Sequence, residues 1–178
     1  MEPDISNSPS DTPNAAPAKA HLQGRFQGRI AFAQIVRDAF LRAAEEGWPE
    51  IIISDASFED WPLREKVVVD ALQAWSKTGR HFTMLAQRFD SVPRNQPRFV
   101  TWRRTWSHII DCRRCPSVDP LDFPSAIWSR AWVMQRLDLA RSTGVCGQEP
   151  DRRVALRELL NERLRGSTPG FAATTLGL

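Results

Sequence analysis

Three cysteines and one histidine form the sharpest chemical signal in this sequence. Two residues separate Cys112 from Cys115, His108 precedes Cys112 by four positions, and Cys146 follows much later. Thiolate and imidazole are ligands of tetrahedral structural zinc, so this set is a candidate metal site. Zinc ligands usually come as two close pairs, and the isolation of Cys146 favours the simpler interpretation that these cysteines are small packing residues. We therefore assign no cofactor and keep zinc as an alternative.

A basic stretch runs from residue 88 to residue 115. It contains seven arginines and two carboxylates, whereas the whole chain has a net charge of only +3. Guanidinium groups grip phosphates with paired hydrogen bonds, and tryptophans between them can stack on bases. The stretch therefore predicts a surface for a polyanion, with nucleic acid as one possible partner. The candidate anion-binding residues are Arg98, Arg103, Arg104, Arg113 and Arg114.

The same pattern has a simpler interpretation as the solvated face of a helix. Trp102 and Trp106 share an apolar stripe with Phe99, which favours the protein core for both indoles. Arg104 lies well off this stripe and Arg103 at its edge. Arg104 is therefore the better candidate for a solvent-facing phosphate contact.

Acidic residues crowd the loop that follows the first predicted strand. Loops at the carboxyl ends of strands are where α/β proteins bind ligands. No basic partner for an acid–base pair is visible in the sequence, and no glycine-rich phosphate loop, Gly-x-Ser-x-Gly elbow or His-Glu-x-x-His motif occurs. We assign no catalytic residue and keep a hydrolase or phosphotransfer enzyme using this loop as an alternative. The loop residues concerned are Asp55, Ser57, Glu59 and Asp60.

A strand–helix–strand unit forms the centre of the predicted fold. Residues 51–53 are three consecutive isoleucines, which is typical of a strand buried on both faces. Residues 81–86 predict a second strand, and the apolar residues between them predict a helix from residue 62 to residue 79. Such a unit predicts parallel strands and a right-handed crossover. A helix over residues 28–47 precedes it, with one buried stripe.

The second half of the chain is less regular. Pro97 opens a predicted helix that carries Phe99 and Trp102, and residues 109–115 either continue it or turn into a strand. Residues 126–137 favour a hairpin over a helix, and residues 141–150 predict a connector. Asp151 is the predicted N-cap of a last helix. The fold class is therefore α/β, a small mixed sheet with helices on both faces.

Length and composition predict one domain with two tails. The chain has 178 residues, of which 42% are hydrophobic and 25% charged, as in globular proteins. Residues 1–23 are proline-rich and polar and predict a disordered tail, residues 24–166 the domain, and residues 167–178 an extended tail. The odd number of cysteines favours a reducing compartment, the cytoplasm. No apolar run reaches the roughly 20 residues of a membrane span, so no membrane partner is expected.

The order of elements resembles a known family. Together with residues 60–63 (Asp-Trp-Pro-Leu), 98–100 (Arg-Phe-Val) and 102–103 (Trp-Arg), it resembles the degenerate phospholipase D-like domain of bacterial proteins. Active members of that family use a His-x-Lys-x4-Asp motif, with the histidine as nucleophile. None of His21, His81 and His108 has a lysine two residues later. The resemblance implies the fold without the chemistry, and a half architecture that a homodimer would complete.

The function expected from the sequence is therefore non-catalytic. We expect an interaction or anion-binding module, with a second copy of the chain or a polyanion as partner. An enzyme of the hydrolase or phosphotransfer type and a small zinc-stabilised nucleic-acid-binding regulator are the alternatives.

Overall fold

The structure, a computed structural model, describes residues 22–173. Almost all of the predicted N-terminal tail, residues 1–21, lies outside the described residues, as do residues 174–178 of the predicted C-terminal tail. Leu22, which the sequence places in that tail, is buried, and its carbonyl accepts a hydrogen bond of 2.7 Å from the Trp132 indole.

Strands and helices alternate in the first half of the chain, and strands dominate the second half. The elements are β1 (Gly24–Phe26), α1 (Arg29–Glu46), β2 (Glu50–Asp55), α2 (Lys66–Ser76), β3 (His81–Ala86), α3 (Ser91–Asn95), α4 (Pro97–Thr105), β4 (Ile110–Arg114), β5 (Ser125–Ser129), β6 (Val133–Asp138), β7 (Thr143–Gly147), α5 (Pro150–Arg165) and β8 (Thr168–Pro169).

The strands form one open mixed sheet of eight strands in the order β1-β7-β6-β5-β2-β3-β4-β8. β2, β3 and β4 are parallel to one another, and the remaining neighbours are antiparallel. The predicted parallel pair and the predicted mixed α/β sheet are therefore confirmed. The carboxyl ends of the three parallel strands lie at one edge of the sheet, which we call the carboxyl edge.

Two apolar clusters cover the two faces of this sheet. Ile51 and Ile53 pack in the larger cluster with residues of α1, α2 and α4, whereas Ile52 packs in the smaller one with Leu156 and Leu160 of α5. Successive side chains of a strand point to opposite faces, so the isoleucine run serves both clusters. This confirms the doubly buried strand and the helices on both faces.

The hairpin predicted over residues 126–137 is confirmed as β5 and β6. Residues 110–114 form a strand, so the strand alternative for this segment is the right one and α4 ends at Thr105. The segment between β3 and α4 contains the short helix α3.

The connector predicted over residues 141–150 is wrong, because residues 143–147 form β7 between β1 and β6. Its glycines weaken the strand signal in the sequence. At Gly144, a Cβ atom would collide with the Gln135 carbonyl and the Phe26 ring, so this strand needs a glycine where two backbones come close. The predicted cap is also wrong: Glu149 is the N-cap of α5, Pro150 is its first residue and Asp151 lies within the first turn.

Candidate functional site

The arginines of the basic stretch occupy three different environments. Arg98, Arg104 and Arg114 are exposed, Arg113 is half-buried, and Arg103 is only 6% exposed. The expectation that Arg104 faces solvent agrees with this placement. The five residues therefore do not form one surface.

Arg113 fastens the C-terminal end of α5 to the edge of the sheet. Its Nε donates to the Ser167 hydroxyl at 3.0 Å and its Nη2 to the Ser167 carbonyl at 2.8 Å. These bonds engage the side of the guanidinium fork that would grip an anion. Its observed role is to attach the segment after α5 to strand β4.

Exposed arginines lie on the segments that follow β2 and β3 and at the last residue of β4. Hydrogen bonds connect these segments: Arg98 Nη1 donates to the Arg64 carbonyl at 3.2 Å, and Gln96 Nε2 to the Trp61 carbonyl at 3.1 Å. The backbone N–H of Arg88 donates to the Ala56 carbonyl at 3.1 Å. We call the exposed set at this edge the carboxyl-edge arginines: Arg64, Arg88, Arg94, Arg98 and Arg114.

None of the carboxyl-edge arginines forms an ion pair with a carboxylate among residues 22–173. In the same part of the chain, seven other arginines do form such pairs: Arg37, Arg42, Arg130, Arg136, Arg141, Arg152 and Arg157. Positive charge at the carboxyl edge is therefore available to an external anion.

Arg103 is buried beneath the C-terminal segment, residues 168–172. Its Nη2 donates to the Phe171 carbonyl at 3.0 Å, and its guanidinium carbon lies 5.6 Å from the centre of the Phe171 ring. Its Nε and Nη1 have no hydrogen-bond partner among the described residues. Two nitrogens of a buried cation, which carry three N–H donors, are thus left unsatisfied.

The Cys112 thiol lies close to this guanidinium and does not satisfy it. Burial raises the pKa of Cys112, while the Arg103 charge and a weak interaction with the guanidinium oppose the rise. A neutral thiol is a poor acceptor, and the pair lacks the geometry of a hydrogen bond. Nε and Nη1 of Arg103 therefore lack a good acceptor, and both atoms are covered by the surrounding protein.

An open cleft of about 590 Å³ lies between β4, the loop after β3 and the C-terminal segment. Gly170 allows this arrangement, because a Cβ atom there would lie 2.7 Å from the Phe89 ring and 2.9 Å from the Arg114 Cβ. The charged and aromatic residues that line the cleft are Arg88, Arg103, Arg114, Asp90, Asp111, Phe89 and Phe171.

A second buried arginine, Arg136 of β6, contrasts with Arg103. Its Nη2 lies 2.8 Å from an Asp55 carboxylate oxygen, its Nη1 donates to Asp60, and its Nε donates to the Ser125 hydroxyl at 2.9 Å. The Phe32 ring lies 4.0 Å from its guanidinium carbon. Burial lowers the pKa of Arg136, but hydrogen bonds and charges of Asp60 and Asp55 outweigh it and raise the pKa overall.

This ion cluster accounts for the acidic loop. One Asp55 oxygen accepts from the backbone N–H groups of Ser57 and Phe58, and its other oxygen binds Arg136. Both Asp60 oxygens also bind Arg136. Two of the loop's carboxylates are thus engaged in structure, and Arg136 is a partner that the sequence analysis missed, because 76 and 81 residues separate it from them.

The proposed zinc ligands are not brought together. Cys112 and Cys115 pack in the clusters on opposite faces of the sheet, and His108 is exposed beside Trp106. Cys146 lies on β7, five strand spacings from β4, which is about 24 Å. Within residues 22–173, no three His, Cys, Asp or Glu side chains are grouped to hold a metal. The four residues therefore do not lie together at one site in this structure.

Comparison with known proteins places the fold but not a family. The chain matches no protein family and no curated protein sequence. Its structure is similar to that of TrmBL2, an archaeal chromatin protein whose structure shows a novel mode of DNA binding. The TM-score is 0.56 at 16% sequence identity, over 83% of this chain and 54% of TrmBL2. This chain thus spans about half the length of TrmBL2, and the similarity shows the fold alone.

The resemblance to a phospholipase D-like domain is wrong. The structure is similar to that of TrmBL2, and this similarity gives no evidence of a phospholipase D-like domain. It gives no evidence of a bacterial origin either. The stretches that suggested it contain residues that pack the protein: Asp60 binds Arg136, and Trp61, Phe99 and Trp102 are core residues. Apolar residues at such positions are common to many α/β proteins. The homodimer that the resemblance implied stays a prediction.

No helix among the described residues is long and apolar enough to cross a lipid bilayer.

Proposed function

We propose that this protein is a non-catalytic module that binds duplex DNA through its carboxyl-edge arginines. The observation that carries the proposal is the set of five exposed arginines at one edge of the sheet, none paired with a carboxylate. Unpaired arginines repel one another, and an anion that contacts several of them relieves this repulsion.

The fold supports a nucleic-acid partner over other polyanions. TrmBL2, which is similar over 83% of this chain, is described as a chromatin protein that binds DNA. The identity of 16% transfers no residue role, so the residues that contact DNA are inferred from this chain's own charges.

We expect the carboxyl-edge arginines to contact the phosphates of DNA and not its bases. The carboxyl-edge arginines lie on loops, on the short helices α3 and α4 and at the end of β4, and these two helices have only five and nine residues. Phosphate contacts bind every sequence alike and release counterions from the duplex. We therefore expect binding that is indifferent to sequence and steeply dependent on salt.

Two charge-matched triple variants test this proposal. R88Q/R94Q/R98Q removes three carboxyl-edge arginines, while R25Q/R80Q/R104Q removes three exposed arginines elsewhere, on β1 and at the amino edge of the sheet, which also form no ion pair among the described residues. Fluorescence anisotropy with a labelled duplex gives log K at several salt concentrations. Each lost phosphate contact flattens the slope against log salt by about 0.9, so the first variant loses about 2 to 3 units of slope.

The control variant should keep the slope of the natural protein to within about one unit. Equal losses in both variants would mean that net charge alone attracts DNA, and would overturn the proposed interface. Absence of binding at low salt would overturn the proposed function. Competition with an unrelated duplex separates sequence-indifferent binding from sequence-specific binding.

A cytoplasmic location and a possible homodimer complete the proposal. All three cysteines are buried, and Cys112 and Cys115 form no disulfide among the described residues, as expected in a reducing compartment. A second copy of the chain would double the number of phosphate contacts, and sedimentation of the protein with and without DNA would detect it.

A further inference from the structure

We infer that the cleft beneath the C-terminal segment is a binding site for a small organic phosphate. This inference goes beyond DNA binding, because it concerns an open cleft and a buried arginine, Arg103, that is not one of the carboxyl-edge arginines, although Arg88 and Arg114 belong to both sets. It rests on Arg103, on the arginines at the rim of the cleft and on the shape of the cleft.

Arg103 shows that the cleft is built for an acceptor. Nine-tenths of its side chain is removed from solvent, yet Nε and Nη1 have no partner among the described residues. Burying a cation without satisfying its donors is unfavourable, so such a group calls for a compensating ligand. Nε shares one edge of the guanidinium with Nη2, which donates to the Phe171 carbonyl, and Nη1 lies on the other side of the group.

Charge around the cleft favours a phosphate over a carboxylate. Arg88 and Arg114 line the cleft together with Arg103, and none of the three has an ion pair within residues 22–173. Three guanidinium groups match a doubly charged group with three terminal oxygens better than a singly charged carboxylate.

The remaining lining residues indicate what the rest of the ligand carries. Asp90 and Asp111 also line the cleft, and their carboxylates accept hydrogen bonds from hydroxyl or amine groups. Stacked Phe89 and Phe171 rings, 5.5 Å apart, form an apolar wall. A volume of about 590 Å³ suits a small molecule. The ligand class is thus a small phosphate monoester with hydroxyl or amine donors.

Calorimetry with inorganic phosphate and with glycerol 3-phosphate tests this site, with glycerol as the uncharged probe. R103M removes the guanidinium and keeps the length of the side chain, and R80M is the matched control at the amino edge. Both phosphates should bind the natural protein and R80M, and glycerol should not. R103M should weaken binding by at least tenfold. At a ligand concentration ten times Kd, the melting temperature of the natural protein should rise by about 3 to 6 °C.

Phosphate salts also stabilise proteins by exclusion from their surface, and R103M would then gain as much as the natural protein. The inference would be overturned if phosphate raised the melting temperatures of R103M and of the natural protein equally. It would also be overturned if neither phosphate gave a heat of binding with the natural protein. If R103M lowers the melting temperature by itself, R103K decides: it keeps the charge but loses the planar fork, and should weaken phosphate binding about tenfold. Unchanged binding by R103K would then overturn it.

Failure of this site is distinguishable from failure of the DNA proposal. R103M leaves the carboxyl-edge arginines in place, so its affinity for duplex DNA should stay within about twofold, which is less than one phosphate contact is worth. Loss of phosphate binding with retained DNA binding supports the cleft as a separate site. DNA binding without any phosphate binding would overturn the cleft alone.

Discussion

Arg136 and Arg103 are buried to the same extent, since each is 6% exposed, but their surroundings differ. Arg136 meets two carboxylates, a hydroxyl and an aromatic ring. Arg103 meets one carbonyl and one ring, and two of its nitrogens are unsatisfied. The comparison teaches that burial of an arginine does not by itself indicate its role; the completeness of its partners does.

The difference follows from the energetics of buried charge. A buried ion pair is tolerated when each donor and acceptor is matched, and removal of one partner leaves an uncompensated charge. Arg136 is therefore a structural element that couples the loop after β2 to β6. Arg103 has unused binding capacity and faces a cleft, which makes it a candidate ligand contact.

The largest expected effect is the loss of Arg136. R136M removes the cation and leaves Asp55 buried without its partner, so we expect a decrease of about 3 to 5 kcal/mol in the free energy of unfolding. Urea denaturation followed by tryptophan fluorescence measures this difference. A decrease below about 1 kcal/mol would contradict the structural role of this cluster, because losses that small are typical of exposed ion pairs.

Replacement of Arg103 should change the free energy of unfolding less, and in the opposite direction. R103M removes two unsatisfied donors together with one hydrogen bond to Phe171, so the free energy of unfolding should be unchanged or rise by up to about 2 kcal/mol. The same urea experiment, run in a buffer without phosphate, compares the two variants directly. Equal losses in R103M and R136M would remove the distinction between the two arginines.

The smallest effect is expected for an ion pair near the surface. Arg37 Nε lies 2.6 Å from a Glu65 carboxylate oxygen, and about a third of the Glu65 side chain is exposed. The hydrogen bond from Arg37 lowers the pKa of Glu65. E65Q should cost about 0.5 kcal/mol at pH 7, because solvent screens the pair.

This cost should also depend on pH. Because the pKa of Glu65 is lower in the folded protein, its contribution is present above the unfolded value of about 4.3 and is lost as the pH falls through the folded value. Stability curves of the natural protein and E65Q should therefore converge as the pH falls below the folded pKa of Glu65. Curves that stay parallel would show that the pair contributes nothing through its charge.

Local sequence patterns predicted the elements whose secondary structure depends mainly on residues close in the sequence. Periodicity and turn residues predicted three such elements: the isoleucine strand at residues 51–53, the strand at residues 81–86 and the hairpin at residues 126–137. β7 was missed because it contains two glycines, of which Gly144 allows the close approach of Phe26 and Gln135 from other strands. When contacts with residues remote in the sequence select the residues of a strand, local strand propensity is a weak predictor of it.

Sequence alone determined the α/β class, the parallel centre of the sheet and the excess of arginine between residues 88 and 115, because periodicity and charge are local properties. Only the tertiary structure decided which arginines are exposed, which one meets Asp55 and Asp60 across about 80 residues, and which one is left unsatisfied under the C-terminal segment. The physical reason is that the environment of a charge depends on groups that are remote in the chain, and only folding brings these groups within hydrogen-bond distance.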